Sequence, residues 1–284
     1  MPAALRPPES VTTPDGVTLA LRRWPAATPA SRGTILIVHG LGEHSGRYGR
    51  LADLLQLRGW EVVGYDHRGH GLSLGRRGAV PHADTLVDDL SLVLDRVVRP
   101  RVAAGSPLLL LGQSMGGLVA ALFVARAVRP VEGLILTSPA LAADLSLAQR
   151  IQLRVGRALV PDLPMGNQLV VDALCHDRSV VQAYRDDPLV HDRITARLAS
   201  AILKGGREVR LAAPRWRVPT LLMWAGEDRL VAASGSDTFA AAAPPAVVRV
   251  RRFDALWHEI LNEPSSDEVF RTLTGWLDER FPAR

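Results

Sequence analysis

The chain has 284 residues, of which 47% are hydrophobic and 22% are charged, and it contains a single cysteine. This length is enough to bury a large core, and one cysteine cannot form an internal disulfide. The formal net charge of +5 is scattered along the chain. It forms no basic cluster interleaved with aromatic residues, which argues against nucleic-acid binding.

The chain contains no apolar run of the roughly 18 residues that a membrane-spanning helix needs. Its first residues, Met1 to Pro8, lack the charged and apolar regions of a secretory signal. We therefore expect a cytoplasmic protein.

The first predicted element is an antiparallel pair, with a hairpin turn at Asp15-Gly16 and a strand over Val17 to Trp24. Further strands are predicted at residues 34–38, 61–65, 107–111, 133–137, 219–225 and 247–253. They alternate with helical stretches such as Tyr48 to Leu57 and Ala83 to Val98. This alternation predicts an α/β fold with one doubly wound, mostly parallel sheet.

The alternation stops between Ser138 and Pro214, where the sequence shows helical patterns and no convincing strand. We interpret this segment as a helical cap inserted over the carboxyl ends of the strands, where open α/β sheets bind their ligands. The predicted division is 1–138 for the first part of the core, 139–213 for the cap and 214–284 for the second part of the core.

Two stripes of residues recur at helical spacing within the cap. The apolar stripe is Ala148, Ile151, Val155 and Ala158, and the basic stripe is Arg150, Arg154 and Arg157. Either the helix packs on the core with solvated arginines, or it contacts an anionic membrane surface. Other apolar residues of the cap either line an acyl-chain site or form the core of the cap: Leu141, Leu145, Leu159, Leu163, Met165, Leu169 and Val170.

A Gly-x-Ser-x-Gly turn, Gly112 to Gly116, lies between a buried strand and a helix-prone segment. In that setting the serine occupies a tight corner, and the small flanking glycines allow the backbone to turn sharply enough to expose its hydroxyl. The pattern predicts Ser114 as a nucleophile if a base and an acid are present. Without them it is an ordinary strand-to-helix turn.

A serine hydroxyl needs a histidine to accept its proton and an acid to orient that histidine. The turn Gly226 to Val231 follows a predicted strand and carries two adjacent carboxylates, Glu227 and Asp228, while the loop after the last strand carries His258. In the chain order serine, acid, histidine, the histidine comes after the serine and the acid, and only His258 does so. The other histidines all precede Asp228: His39, His44, His67, His70, His82, His176 and His191.

Two backbone amides are candidates for binding the oxyanion of an acyl-transfer reaction. One belongs to Met115, directly after the nucleophile, and the other to Leu41, in a His-Gly-x-Gly turn that follows a predicted strand. Cys175 has no strand-turn-helix setting, so we expect a small core residue there. His67 and His70 have no converging third ligand, so we expect no metal, and the sequence indicates no cofactor.

Five segments together resemble the monoacylglycerol lipase and lysophospholipase branch of the α/β-hydrolases. They are His39 to Tyr48, Asp66 to Ser73, Gly112 to Gly117, Gly226 to Val231 and Trp257 to Glu259. The likeness runs from about Ile35 to Leu261. It implies a nucleophile at Ser114, an acid at Asp228 in preference to Glu227, a base at His258 and oxyanion amides from Leu41 and Met115.

The resemblance also implies a monoacylglycerol or similar single-chain lipid ester as substrate, with Glu43 and Arg47 near the mouth of the site. The family usually carries histidine where this chain has Gln113, so a head-group contact at that position is in question. We expect ester hydrolysis through an acyl-Ser114 intermediate. Acyl transfer through the same intermediate and a non-catalytic ligand-binding protein are the alternatives, and the sequence does not indicate an oligomeric state.

Overall fold

The computed structural model describes residues 9–28 and 31–283. The strands of its main sheet are β1 (Glu9–Thr12), β2 (Thr18–Trp24), β3 (Gly33–Val38), β4 (Trp60–Tyr65), β5 (Leu108–Gln113), β6 (Gly133–Thr137), β9 (Thr220–Ala225) and β10 (Val248–Phe253). Two further strands, β7 (Pro164–Gly166) and β8 (Arg193–Thr195), pair with each other outside this sheet.

The main sheet has the strand order β1-β2-β4-β3-β5-β6-β9-β10. The pairs β1·β2 and β2·β4 are antiparallel, and all other neighbours are parallel. The predicted opening antiparallel pair and the mostly parallel sheet are therefore confirmed. Because β3, β5, β9 and β10 run in the same direction, the loops at their carboxyl ends meet at one edge of the sheet.

The described residues form eight α-helices, which cover the faces of the sheet or lie in the segment 139–213. They are α1 (Gly49–Leu57), α2 (Thr85–Val93), α3 (Ser114–Ala125), α4 (Leu147–Leu159), α5 (Arg178–Asp186), α6 (Ala196–Ala212), α7 (Ala233–Ala242) and α8 (Asp267–Arg280). A π-helical segment, Leu94–Val98, continues α2, and short 3-10 turns occupy Ser45–Tyr48, Arg99–Arg101, Val171–Ala173 and Ala213–Arg215.

The alternation of side chains along each central strand builds two cores. Leu36 of β3 and Leu110 of β5 pack in the cluster that contains α2 and α3. Their chain neighbours Ile37 and Leu111 pack in the cluster on the other face, with α1 and α8. Strands that are buried on both faces read as continuous apolar runs, and both β3 and β5 do so.

The segment 139–213, which we call the cap, contains β7, α4, α5, β8 and α6. The expectation of a cap without strands was wrong, because β7 and β8 form an antiparallel pair in which Met165 lies opposite Ile194. Each of these strands has only three residues, which is too short to produce a recognisable alternation of apolar and polar side chains.

Helix α4 does not bury its apolar stripe. Ile151 is 54% exposed and Val155 is 50% exposed, and Ala148 and Ala158 are exposed as well. The only buried residue of α4 is Gly156. The interpretation in which this stripe packs on the core was therefore wrong.

The described residues include no helix that is both long enough and apolar enough to cross a bilayer. The stretch from Met1 to Pro8, on which the expectation about a secretory signal rests, lies outside the described residues.

Candidate active site

Ser114 is the first residue of α3 and directly follows β5, at the edge of the sheet where the carboxyl ends meet. Its φ is +54°, a left-handed conformation that strains a residue with a side chain. A Cβ on Gly116 would lie 2.0 Å from the Val38 carbonyl oxygen, and one on Gly112 would lie 2.6 Å from the Gly116 carbonyl oxygen. The turn therefore requires glycine on both sides of the serine.

His258 and Asp228 form a buried hydrogen-bonded pair, with 2.7 Å between His258 Nδ1 and Asp228 Oδ2. The other carboxylate oxygen, Oδ1, accepts hydrogen bonds from the amides of Leu230 and Val231 at 2.9 and 3.0 Å. The Glu227 residue is exposed. Of the two adjacent carboxylates, the structure thus brings Asp228 to the histidine.

Two opposing influences act on the imidazole of His258. Burial disfavours the charged ring, but the Asp228 carboxylate and the charges of Glu259 and Glu43 favour it, and their sum raises the pKa of His258. An imidazolium formed during a reaction would therefore be stabilised at this position.

Leu41 and Met115 both line the cavity that contains Ser114. Met115 is in the first turn of α3, where backbone amides have no intrahelical acceptor. Within the described part of the chain, neither amide donates a hydrogen bond to a protein acceptor. A Cβ on Gly40 would lie 3.2 Å from Ser114 Cβ, so the loop that carries Leu41 runs against the serine.

A cavity of about 430 Å³ joins Ser114, Asp228 and His258 to the cap. This volume lies within the range of small-molecule sites, roughly 300–1,000 Å³. Away from the serine its walls are mostly apolar, and they include Leu145, Leu153, Met165, Leu169, Val170, Leu174, Ile194, Ile202 and Leu203.

Four of the cap residues that were considered for an acyl-chain site line this cavity: Leu145, Met165, Leu169 and Val170. The other three are placed elsewhere. Leu141 is fully buried in the main core, whereas Leu159 and Leu163 are 75% and 49% exposed and do not reach the cavity.

Glu43 and Gln113 line the cavity, but their polar atoms already have protein partners. The Gln113 side chain accepts a hydrogen bond from the Thr137 hydroxyl and donates one to the His258 carbonyl oxygen at 3.3 Å. Arg47 does not line the cavity. Its guanidinium lies between the carboxylates of Glu43 and Glu259.

A model of the family described as Hydrolase_4, serine aminopeptidase S33, matches residues 29–265. The chain belongs to this family. It is an α/β-hydrolase, and its reaction class is that of a carboxylic ester hydrolase.

Several proteins that are named monoacylglycerol or monoglyceride lipase are similar to this chain over nearly its whole length. A monoacylglycerol lipase of Mycolicibacterium smegmatis is 29% identical over 98% of the chain and 99% of its own length. A monoglyceride lipase of Rattus norvegicus is 30% identical over 94% of the chain and 88% of its own length. The crystal structure of the Paleococcus ferrophilus monoacylglycerol lipase superposes with a TM-score of 0.83 at 28% identity, over 92% of this chain and 99% of that one.

Two residues that line the cavity, Glu259 and Tyr184, were not among the site residues predicted from the sequence. Glu259 had a visible signal, because it directly follows the predicted base. Its partner Arg47 is 212 positions away in the chain, and no local pattern connects the two.

The other clustered histidines do not form a metal site. His67 and His70 are buried beside His39, with ring centroids 4.5 and 5.4 Å from that of His39. Over residues 9–28 and 31–283, no group of three or more potential ligands is arranged to hold a metal ion.

Proposed function

We propose that Ser114, His258 and Asp228 are the nucleophile, base and acid of an esterase that hydrolyses monoacylglycerols or similar single-chain lipid esters. The observation that carries the proposal is the Asp228–His258 hydrogen bond of 2.7 Å in the cavity that also contains the strained Ser114. In the proposed organisation, residues 139–213 are an inserted cap between core segments 1–138 and 214–284.

In the proposed mechanism, the Ser114 hydroxyl attacks the ester carbonyl and passes its proton to Nε2 of His258. The Nδ1–H of the same ring donates to Asp228, which fixes the tautomer and stabilises the imidazolium. The imidazolium then protonates the leaving alcohol, and an acyl-Ser114 ester remains. A water molecule, deprotonated by His258, hydrolyses this ester and releases the fatty acid.

The oxyanion of each tetrahedral intermediate is proposed to accept hydrogen bonds from the amides of Leu41 and Met115. Both residues line the cavity, and neither amide donates a hydrogen bond to a protein acceptor within the described ranges. Donors that are already oriented lower the barrier without reorganising during the reaction, and removing one in a protease costs roughly 3–4 kcal/mol.

The apolar cavity and the relatives together support a single-chain lipid ester as the substrate. The walls contributed by the cap offer leucine, methionine and isoleucine side chains to an acyl chain. Glu43 and Gln113 also line the cavity, and we assign them to its head-group end. The relatives named monoacylglycerol lipase match this chain over nearly its full length.

The test has two parts. A fluorophosphonate probe should label the wild-type protein and leave Ser114→Ala unlabelled, because the probe reacts with an activated serine. An ester panel that varies acyl length and alcohol separately should show preference for monoacylglycerols over diacylglycerols and over short-chain esters. Labelling that persists in Ser114→Ala would reject the nucleophile, and equal rates across the panel would reject the substrate class.

We also propose that the exposed face of α4 contacts anionic lipid surfaces. Leu147 and Leu159 are each 75% exposed, and the half-exposed Ile151 and Val155 lie between them along the helix. The arginines of the basic stripe, Arg150, Arg154 and Arg157, are exposed on the same helix. A helix with exposed apolar and basic residues is suited to the interface between headgroups and acyl chains.

Vesicle co-sedimentation of the Ser114→Ala protein tests this surface without hydrolysis of the lipid. Binding should be stronger to anionic than to neutral vesicles, and it should decrease in Ile151→Ser and in Arg154→Gln. Val250→Ser is the matched control, since Val250 is 44% exposed on β10 and lies outside α4. Equal binding to both kinds of vesicle would end the proposal.

A further inference from the structure

Arg47 lies between two buried carboxylates. Its Nη1 is 2.8 Å from Glu43 Oε2 and 2.6 Å from Glu259 Oε1, and its Nη2 is 2.8 Å from Glu259 Oε2. The side chains of both glutamates are 7% exposed, and that of Arg47 is 12% exposed. A planar guanidinium can satisfy two carboxylates at once, which the compact ammonium of lysine cannot do with the same geometry.

Glu43 connects this arginine to the loop that carries the proposed oxyanion donor Leu41. Its other oxygen, Oε1, accepts hydrogen bonds from the Gly40 amide at 2.6 Å and from the Tyr48 hydroxyl at 2.8 Å. Gly40 directly precedes Leu41, so the Glu43 carboxylate fixes the backbone one residue before the amide that is to bind the oxyanion.

Glu259 connects the same arginine to the loop that carries the proposed base, because it directly follows His258 in the chain. Its carboxylate also accepts a hydrogen bond from Asn262 Nδ2 at 2.8 Å, and its amide donates to the Leu174 carbonyl oxygen at 2.8 Å. Backbone and side chain of Glu259 are therefore both held in place.

The cap contacts the arginine as well. The guanidinium carbon of Arg47 lies 4.8 Å from the centroid of the Tyr184 ring on α5, a cation–π distance. The His191 amide of the cap donates to the Gly42 carbonyl oxygen, in the same loop as Leu41, at 2.9 Å. One guanidinium thus contacts the oxyanion loop, the base loop and the cap.

We infer that Arg47 is a positioning residue that holds the Leu41 amide and the His258 ring in their reacting geometry through Glu43 and Glu259. This inference rests on the proposed function, since it assigns Arg47 to the same site, and it replaces the expected place of Arg47 near the mouth of the site. A misplacement of about 1 Å costs on the order of 100-fold in rate, so holding both loops with one ion pair matters for catalysis.

The decisive comparison is between two substrates, a monoacylglycerol and p-nitrophenyl butyrate, which has no glycerol. For Arg47→Met we expect kcat to fall by about 10- to 100-fold on both substrates with little change in KM. Arg47→Lys should recover only part of the loss, because the ammonium cannot reproduce the bidentate contact with Glu259. A higher KM confined to the monoacylglycerol would show a head-group contact and overturn the inference.

The matched control is Arg58→Met, the same substitution at an arginine 41% exposed and paired with Asp278 at 2.9 Å on the surface. Its kcat should equal that of the wild type on both substrates. If Arg47→Met lowers the melting temperature but leaves the kcat of the folded protein unchanged, the role is structural and the inference fails. If the wild type cleaves only p-nitrophenyl butyrate, the proposed lipid substrate is wrong. The effect of Arg47→Met on kcat can still be measured with p-nitrophenyl butyrate, so the positioning role of Arg47 is tested separately.

Glu259→Gln provides a second readout that does not require Arg47→Met to fold. The charged groups around His258 are Asp228, Glu259, Glu43 and Arg47. Removing the Glu259 charge should shift the acidic midpoint of the kcat/KM profile to lower pH and reduce kcat at the plateau. An unchanged midpoint together with an unchanged kcat would contradict the inference.

Discussion

At the scale of single residues, the chemistry depends on strain and close approach rather than on residue type alone. Ser114 is held at a φ of +54° because the turn allows no side chain at Gly112 or Gly116. Strained conformations of this kind cost about 1–3 kcal/mol and persist only where the surroundings enforce them. The five-residue motif was visible in the sequence for this reason, since its glycines are required by the backbone.

The choice between two adjacent carboxylates gives the first prediction. Asp228→Ala should lower kcat on the order of 10⁴-fold, because the imidazole loses the group that fixes its tautomer. Glu227→Ala is the matched control, and it should leave kcat unchanged because Glu227 is exposed and Asp228 is the carboxylate that is hydrogen-bonded to His258. Steady-state kinetics of both variants decide the matter, and a greater loss in Glu227→Ala would reverse the assignment.

The second prediction concerns pH. The base must be neutral to accept a proton, and the neighbouring carboxylates raise the pKa of His258 above the ordinary value of about 6.5. The value of kcat/KM should therefore fall as the pH decreases through a midpoint above 6.5. A profile measured on a neutral ester provides the midpoint, and a value below 6.5 would mean that burial outweighs the carboxylates.

At the scale of elements, the sequence predicted those strands that are long enough to show an apolar run or a regular alternation of side chains. The strand predicted at 133–137 coincides with β6, and the one at 61–65 lacks only the first residue of β4. The β7·β8 pair was missed because three residues give no period. The ion pair of Arg47 with Glu259 was missed because it joins loops that only the completed fold brings together.

A buried ion pair that joins elements gives the third prediction. Arg68 donates two hydrogen bonds to Asp89 of α2, at 2.6 and 2.7 Å, and two to Asp15 of the first hairpin, at 2.7 and 3.2 Å. The side chains of Arg68 and Asp89 are only 7% and 4% exposed. Arg68→Met should therefore reduce the free energy of unfolding by about 3–5 kcal/mol, because it leaves a buried carboxylate without its partner.

The control for this prediction is Arg249→Met. Arg249 has the same bidentate geometry with Glu279, at 2.7 and 2.8 Å, but the two side chains are 48% and 59% exposed. Exposed pairs contribute about 0–1 kcal/mol. Urea unfolding of both variants measures the difference, and equal losses would show that burial of the Arg68 pair is unimportant.

At the scale of the whole molecule, the site is enclosed by four sets of loops that belong to distant parts of the chain. The proposed nucleophile follows β5, the acid follows β9, the base follows β10 and one oxyanion donor follows β3. The loop that carries Leu41 also contacts a group of histidine rings that the proposed mechanism does not use. These are His39, His67, His70 and His191, and their protonation affects the free energy of unfolding of the whole molecule.

The last prediction concerns these histidines. His67 and His70 are 0% and 1% exposed, and their burial and the neighbouring rings depress both pKa values well below 6.5, while the pKa of His191 is lowered to about 4. Because the unfolded chain binds protons that the folded chain rejects, the free energy of unfolding should fall as the pH decreases below 6.5. The loss should increase from pH 7 to pH 5, and His67 and His70 should each contribute to it.

Urea titrations at pH 7 and pH 5 measure this loss directly. His191→Asn should reduce the dependence of the free energy of unfolding on pH, because it removes one group that is protonated on unfolding. It also removes a ring that lies 4.4 Å from the His70 ring and contributes to the lowered pKa of His70. His82→Asn is the control, since the His82 side chain is 62% exposed and lies outside the group. The raised pKa of His258 acts with the opposite sign and offsets part of the loss. The same pH dependence in His191→Asn and in the wild type, which share the His258 contribution, would mean that the His191 ring accepts a proton without unfolding.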